Sequence, residues 1–266
     1  MPEANPDSNT VVAVSRHGPV ALLELARPEK FNCLNSAVHQ AIETALDAAE
    51  ADPTCRALLI AAQGKHFCTG ADLAEVQGLR AAGRFDEFIA LGHRVLCRLE
   101  ASPLPVVIAV QGLCLAGGIE LALAGDVILA GEGAKLGDQH AQFGLVPGWG
   151  GSQRLPRRVG QARALDLMFS ARWLSAKEAQ DWGLVAQVIP DAELRERALD
   201  YCTTLATRSR PGLAAMKRLA REGADLPLAD ALALEQRLAL EAMAGPDVDE
   251  GLTAFVARRP PRFQSS

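Results

Sequence analysis

The chain has 266 residues, of which 49% are hydrophobic and 22% charged, with a formal net charge of -5. This length and composition predict a globular chain with a sizeable core. A mildly acidic balance gives no general attraction to nucleic acid or to an anionic membrane, so we expect neither as a partner. No apolar run reaches the roughly 18 residues of a membrane span, and the polar start "MPEANPDSNT" has no signal core.

The cysteines lack the spacing of a metal site or a redox pair. No C-x-x-C motif is present, and no cysteine lies near a histidine at zinc spacing. Free thiols are typical of a reducing compartment, so we expect a cytoplasmic protein that binds no metal. The six cysteines are Cys33, Cys55, Cys68, Cys97, Cys114 and Cys202.

Strands and helices alternate in the first half of the chain. Residues 1–9 are predicted to be a disordered tail. "VVAVSR" and "VALLELAR" predict two strands around the turn "HGP", and "NSAVHQAIETALDAAEA" predicts a helix with Asn35 or Ser36 as its cap. "RALLIAAQG" predicts a buried strand, and a helix is expected from about Phe85 to Leu99. "PVVIAVQG" predicts another buried strand, and "GGIELALAGD" a short helix that leads into the strand "VILAG".

The second half has a different character. From about Gly151 onward the pattern is nearly all helical, with "LVAQVIP" as the one late strand. Ser175 and Glu178 in "SAKEAQDWG" have the spacing of a capping box at a helix start. We therefore predict an α/β fold with a core over residues 10–200 and a helical C-terminal region over residues 201–266.

Two glycine-marked turns follow buried strands. In "GKHFCTGADL", Gly70 permits a backbone conformation that other residues resist, and the N–H of Ala71 is left open to a ligand. In "VQGLCLAGGIEL", Gly117 and Gly118 stand at a helix start, where N–H groups are unpaired. One N–H from each turn can form an oxyanion hole, although spacing alone favours two ordinary tight turns. The sequence has no phosphate-loop, dinucleotide-binding or serine-elbow motif.

Several motifs together resemble the enoyl-CoA hydratase/isomerase family, also called the crotonase family. They occur in the family's order as "HFCTGADL", "AVQGLCLAGGIELALAGDVILA", "FGLVPGWGGSQRLPRRVG", "SAKEAQDWGLVAQVI" and "EGLTAFVARRPPRF". The resemblance covers residues 11–263. It implies a spiral of β-β-α units with a helical C-terminal trimerisation region, and a homotrimer or a dimer of trimers. It also implies an acyl-CoA thioester substrate and no separate cofactor, because coenzyme A arrives as part of the substrate.

The resemblance also implies roles for individual residues. The oxyanion-hole donors are the backbone N–H groups of Ala71 and Gly117. "RPEKFNCLN" is similar to the family's CoA-contacting segment, although Arg27 and Lys30 could equally be surface charges. The implied substrate and CoA contacts are Arg27, Lys30, Asp72, Leu73, Gly118, Phe255, Arg258 and Arg259.

Hydratases of this family use two glutamates, and the chain matches only the first. Glu120, three residues after Gly117, would act as general base on water. At the position of the second glutamate stands His140, which can do acid–base chemistry near neutral pH without adding a second negative charge. A loop histidine at the rim of the pocket is one alternative, and Asp138 in its place is another. His66, before the first turn, is interpreted as a loop residue.

The leading hypothesis is an enoyl-CoA hydratase that adds water to a 2-enoyl-CoA through a stabilised enolate. Because His140 departs from the family pattern, isomerisation, decarboxylation and C–C hydrolysis of a β-diketone stay open, as does a catalytically weak acyl-CoA-binding homologue. Gly148 stands where dienoyl-CoA isomerases have an acidic residue, which disfavours that activity. Trp149 is expected either to line the acyl pocket or to pack in the core.

Overall fold

The computed structural model describes residues 10–263, so the predicted tail at residues 1–9 lies outside the described residues. The described strands are β1 (Val12–His17), β2 (Val20–Leu25), β3 (Ala57–Ala62), β4 (Val106–Val110), β5 (Leu113–Leu115), β6 (Val127–Gly131), β7 (Lys135–Gly137), β8 (Leu174–Ser175) and β9 (Gln187–Ile189). The described α-helices are α1 (Ser36–Ala51), α2 (Leu73–Ala81), α3 (Phe85–Ala101), α4 (Gly117–Ala124), α5 (Gly151–Val159), α6 (Gln161–Ser170), α7 (Ala176–Asp181), α8 (Leu194–Ala206), α9 (Arg210–Gly223), α10 (Leu228–Met243) and α11 (Pro246–Val256).

A six-stranded sheet with the order β1-β2-β3-β4-β6-β9 forms the centre of the fold. The β1–β2 hairpin is antiparallel and the other pairs of this sheet are parallel. β3 and β4 are buried along their whole length, which explains their continuous apolar runs "ALLIAA" and "VVIAV". A smaller sheet, β5-β7-β8, lies beside it.

The parallel pairing of β3 and β4 brings the two glycine-marked turns together. In a parallel sheet the carboxyl ends of neighbouring strands lie at the same edge, and ligands bind there. β3 ends at Ala62 and leads into the first turn; β4 ends at Val110 and leads through β5 into the second. The alternation of strands and helices along the sequence therefore places both turns at the same edge of the six-stranded sheet.

The helical predictions for α1, α3, α4 and α7 are confirmed. Asn35 caps α1 by accepting a hydrogen bond from the Val38 N–H. Ser175 and Glu178 form the reciprocal capping box of α7. No helix within residues 10–263 has both the length and the apolar character needed to cross a membrane.

The secondary structure of two segments differs from the prediction. "LVAQVIP" contains β9 but is not the one late strand, because the short β8 pairs with β7. Helix α2 was not predicted, although Asp72 and Glu75 have the spacing of a helix start and Asp72 caps it. The division of the chain at residue 200 stays a prediction; α8 spans that residue, and its buried face packs against the central sheet.

A cluster of partly buried ion pairs joins α9 to the sheet. The Lys217 ammonium donates to the Leu104 carbonyl at 3.1 Å and pairs with Asp126 at 2.9 Å. Asp126 also pairs with Arg221 at 2.8 Å and accepts the Val106 N–H at 2.8 Å. Arg221 further contacts Glu100 at the end of α3. Asp126, just before β6, therefore compensates two cations of α9.

We predict that Asp126→Ala lowers the free energy of unfolding by about 2–4 kcal/mol, because Lys217 and Arg221 lose their shared partner while they stay partly buried. Urea denaturation measures the change. The control is Asp225→Ala, which removes a largely exposed pair with Arg157 and should change stability by less than about 0.5 kcal/mol. Equal effects of both substitutions would contradict a stabilising role for the cluster.

Candidate active site

The two glycine-marked turns touch at their closest point. A Cβ atom built on Gly117 would lie 3.3 Å from the Gly70 Cα, and one on Gly70 would lie 3.3 Å from the Gly117 nitrogen. Ala71 follows Gly70 directly and pairs with Leu34 in an isolated bridge. That bridge uses the Gly70 carbonyl and the Asp72 N–H, so it does not engage the Ala71 N–H. Among residues 10–263, neither the Ala71 nor the Gly117 amide has a hydrogen-bond partner.

A strained residue precedes the second amide. Ala116 has φ 48° and ψ -119°, a conformation that residues with a Cβ atom rarely adopt. Its N–H donates to the Gly137 carbonyl at 3.0 Å, and its carbonyl accepts from Ile119 and Glu120 inside α4. These bonds hold the strained residue in place and set the direction of the next amide, that of Gly117. Backbone strain of this kind is concentrated at functional sites.

Gly118 has a steric role. A Cβ atom at this position would lie 2.3 Å from the Cys68 carbonyl oxygen, so only glycine lets α4 pack against the first turn. The expected contact of Gly118 with substrate stays a prediction; within the protein, Gly118 packs against the backbone of Cys68. The same close packing fixes the spacing between the two candidate oxyanion-hole donors.

Glu120 is a buried carboxylate with two distinct oxygen atoms. It lies within the first turn of α4, and its side chain is 1% exposed. Oε1 accepts the N–H groups of Trp149 at 2.7 Å and Gly151 at 2.8 Å. A Cβ at Gly151 would stand 3.0 Å from the Glu120 Cγ, which explains the glycine there. Oε2 is left to face His140.

His140 lies between two carboxylates. Its Nε2 is 3.8 Å from Glu120 Oε2, and its Nδ1 is 3.0 Å from Asp138 Oδ1. Its side chain is 12% exposed, whereas that of Asp138 is 1% exposed. The expected proximity of His140 and Glu120 is therefore present, and Asp138 stands behind the histidine as a third member.

The surroundings raise the pKa values of both Glu120 and His140. Burial raises the pKa of Glu120, and the two backbone N–H groups and His140 oppose this shift only in part. Burial acts to lower the pKa of His140, but the hydrogen bond to Asp138 and the charges of Asp138 and Glu120 outweigh it. The pair therefore holds a proton more firmly than either group would in water, as a coupled acid–base pair does.

The residues predicted to contact coenzyme A lie in several places. Arg27 is largely buried: it pairs with Asp72 at 2.8 Å and donates to the Cys33 carbonyl at 2.8 Å. Lys30 and Leu73 are exposed near the first turn. Phe255, Arg258 and Arg259 lie at the exposed C-terminal end, where Arg259 pairs with Glu250.

His66 and Trp149 have structural surroundings. The His66 Nδ1 accepts the Leu113 N–H at 3.1 Å, in agreement with its interpretation as a loop residue. Trp149 is buried and packs edge-on against His39 and Phe88, with ring centroids 4.6 and 5.1 Å apart. A Cβ at Gly117 would lie 2.7 Å from the Trp149 ring, so this core residue also borders the second turn.

An enzymatic class follows from this geometry. Two free amides at touching turns can stabilise an oxyanion, and a buried Glu–His pair beside them can move protons. Within residues 10–263, no group of three or more histidine, cysteine or acidic side chains is placed to hold a metal ion. The arrangement is compatible with acid–base chemistry on a substrate that develops negative charge on an oxygen atom.

Comparisons with known proteins identify the family. The enoyl-CoA hydratase/isomerase family model matches residues 15–266. A "Probable enoyl-CoA hydratase" of Rhizobium meliloti is 37% identical over 97% of this chain and 99% of its own. The 1,2-epoxyphenylacetyl-CoA isomerase of Escherichia coli is 34% identical over 92% of this chain and 94% of its own. The crystal structure of an enoyl-CoA hydratase from Polaromonas superposes with a TM-score of 0.92 at 30% identity, over 95% of this chain and 99% of that one. The chain belongs to the enoyl-CoA hydratase/isomerase family.

His39, beneath the site, makes stability depend on pH. It is fully buried without a hydrogen-bond partner among residues 10–263, and burial lowers its pKa to about 4. Above pH 6.5 both folded and unfolded states are neutral at this residue. As the pH falls from 6.5 towards 4, only the unfolded state gains the proton, so stability is lost.

We predict that the free energy of unfolding falls by about 2 kcal/mol at this residue between pH 7 and pH 5. His39→Leu should remove that part of the pH dependence, as measured by urea denaturation at the two pH values. The control is His93→Leu on the exposed face of α3, which should keep the wild-type difference. An unchanged pH dependence in His39→Leu would refute the prediction.

Proposed function

We propose that the protein hydrates a 2-enoyl-CoA thioester, with Glu120 and His140 as its acid–base pair. The observation that supports this most directly is the facing of Glu120 Oε2 and His140 Nε2 across 3.8 Å. That distance exceeds a direct hydrogen bond, and a water molecule can contact both atoms. Glu120 is on α4 three residues after the Gly117 amide, so the water and the thioester carbonyl share one site.

In the proposed reaction the thioester oxygen accepts hydrogen bonds from the Ala71 and Gly117 amides. Glu120 Oε2 removes a proton from water as the water oxygen bonds to the β-carbon. The negative charge passes to the thioester oxygen as an enolate, and the His140 Nε2–H protonates the α-carbon. A proton then passes from Glu120 back to His140. One water molecule is added, and no cofactor beyond the CoA of the substrate takes part.

The two carboxylate oxygens of Glu120 have different surroundings, which favours Glu120 as the base and His140 as the acid. Oε1 already accepts two backbone N–H groups, so its lone pairs are engaged. Within the described part of the chain, Oε2 has no partner closer than His140, and it is the oxygen available to a water molecule. The raised pKa of Glu120 makes it a stronger base than a solvated carboxylate once it is ionised.

We also propose that the protein is a homotrimer or a dimer of trimers. Several apolar side chains of the C-terminal helices are exposed in a single chain, and contacts between copies would bury them. A cytoplasmic location, expected from the free cysteines, stays a prediction. The exposed apolar side chains are Leu228, Leu232, Leu240, Leu252, Phe255 and Val256.

The first test is the hydration of crotonyl-CoA, followed by the loss of absorbance of the conjugated thioester. We predict that Glu120→Gln and His140→Ala each lower kcat by roughly 10²- to 10⁴-fold, because each loses a proton-transfer group. Glu132→Gln, at an exposed turn residue, serves as the matched control and should keep wild-type turnover. The wild-type kcat should rise with pH as Glu120 ionises and fall as His140 loses its proton.

One outcome would redirect the proposal to another enolate reaction. If the wild type does not hydrate crotonyl-CoA but His140→Glu does, the protein has a hydratase scaffold with a different activity. Isomerisation, decarboxylation and β-diketone cleavage would then be assayed. Intact binding of acyl-CoA with no turnover in any of these assays would indicate a binding protein instead.

A further prediction distinguishes the roles of Lys30 and Arg27, the two basic residues of the proposed CoA-contacting segment. Lys30 is exposed, and we propose that it pairs with a phosphate of the nucleotide, so Lys30→Ala should raise KM roughly 2- to 10-fold at unchanged kcat. Arg27 links the 27–34 segment to Asp72, beside the first oxyanion turn. Arg27→Ala should therefore lower stability by about 1–3 kcal/mol and lower kcat as well. Steady-state kinetics and urea denaturation of both variants check this; identical effects of the two would contradict it.

A further inference from the structure

The buried carboxylate of Asp138 has an unusual set of partners. Oδ1 accepts the backbone N–H of His140 at 3.1 Å and is 3.0 Å from the His140 Nδ1. Oδ2 is buried and has no hydrogen-bond partner among residues 10–263. Within residues 10–263, no lysine or arginine forms an ion pair with this carboxylate. His140 is therefore the one cationic group in contact with the charge of Asp138 within the described chain.

The backbone around Asp138 is held on both sides. Gly137, at the end of β7, accepts the Ala116 N–H, which ties the segment to the second oxyanion turn. The Gln139 side chain donates to the Ala171 carbonyl at 2.6 Å, just after α6. Asp138 is thus fixed relative to α4, the helix that holds Glu120.

This arrangement determines which nitrogen of His140 has the proton. A carboxylate oxygen that already accepts the His140 amide is an acceptor, so Nδ1 must be the donor towards it. Nε2 then faces Glu120 as a lone pair when the ring is neutral and as an N–H when it is charged. The order Asp138, His140, Glu120 separates two carboxylates by an imidazole ring.

We propose that Asp138 is a positioning residue for the second acid–base group, holding Nδ1–H of His140 so that Nε2 faces the reacting water and the α-carbon. This inference rests on the acid–base role of His140 given above. Asp138 does not touch the substrate. It acts through His140 by fixing the tautomer and by stabilising the imidazolium that donates the α-proton.

The groups that face His140 come from two elements. Asp138 belongs to its own segment, and Glu120 comes from α4. Helix α6 also packs near the segment, but its titratable groups are engaged elsewhere: Asp166 pairs with Arg172, and Arg163 stacks on Trp182. Among residues 10–263, removing the charge of Asp138 therefore leaves Glu120 as the one remaining carboxylate beside the ring.

The test combines nuclear magnetic resonance with kinetics. Protein labelled with ¹⁵N-histidine is titrated, and the His140 signals, assigned with His140→Gln, report both the tautomer and the pKa. We expect Asp138→Asn to lower the pKa of His140 and to lose the single Nδ1–H tautomer. We expect kcat to fall about 10²-fold with little change in KM, and the alkaline limb of its pH profile to move to lower pH.

The control is Asp166→Asn, which removes a half-exposed carboxylate of α6 and should leave the His140 titration unchanged. A double variant gives a second readout, because a residue that acts only through His140 should have no effect once His140 is gone. Asp138→Asn should therefore lower the residual activity of His140→Ala no further. If Asp138→Asn does not fold, Asp138→Ser keeps an acceptor for the His140 amide and is measured in the same way.

The inference is overturned if Asp138→Asn leaves the tautomer and the pKa of His140 at their wild-type values. It is also overturned if Asp138→Asn lowers activity equally with and without His140, since Asp138 would then act by another route. The magnetic resonance titration is informative even when crotonyl-CoA is not hydrated. A failure of the proposed function is thereby distinguished from a failure of this inference.

Discussion

The burial of the Glu120 carboxylate is the constraint on which the site depends. A charge removed from water is costly unless hydrogen bonds compensate it. Here the Trp149 and Gly151 N–H groups supply two bonds to one oxygen. Arg154 stabilises the 149–151 turn, because it donates to the Trp149 carbonyl and pairs with Glu100. Because Glu100 also contacts Arg221 of α9, the turn that binds the Glu120 carboxylate is connected to the C-terminal helices through two ion pairs, Arg154–Glu100 and Glu100–Arg221.

Close backbone approach is the second condition, and it explains why small residues surround the site. The two glycine-marked turns follow different strands, and they meet only because Gly117 and Gly118 have no side chains. Trp149 fills the space on the other side of Gly117. The backbone N–H of Trp149 thus donates to Glu120, whereas its ring packs in the core. The position of the Glu120 carboxylate and the packing beneath it are therefore coupled.

Much of this arrangement is predictable from local patterns in the sequence. Continuous apolar runs predict β3 and β4, and glycines after each strand predict the turns. The spacing between Gly117 and Glu120 needs only one helical turn. Partners far apart in the sequence cannot be predicted in this way. The hydrogen bonds between Glu120 and the N–H groups of Trp149 and Gly151 join residues about thirty positions apart, and no local pattern encodes them. The role of Arg27 is similar, because its partner Asp72 lies 45 positions away. The start of α2 did have a local signal, in Asp72 and Glu75, whereas the two-residue β8 had none.

The histidine at position 140 changes the electrostatics of the site more than its shape. Two facing carboxylates repel, and such a pair keeps one proton by raising one pKa strongly. A protonated imidazole between Glu120 and Asp138 instead attracts both carboxylates, so their charges are compensated without a proton on either one. A glutamate at position 140 would leave the buried Asp138 beside a second acid with no cation to compensate it. Asp138 and His140 therefore compensate each other's charge, and replacing either one alone disturbs this balance.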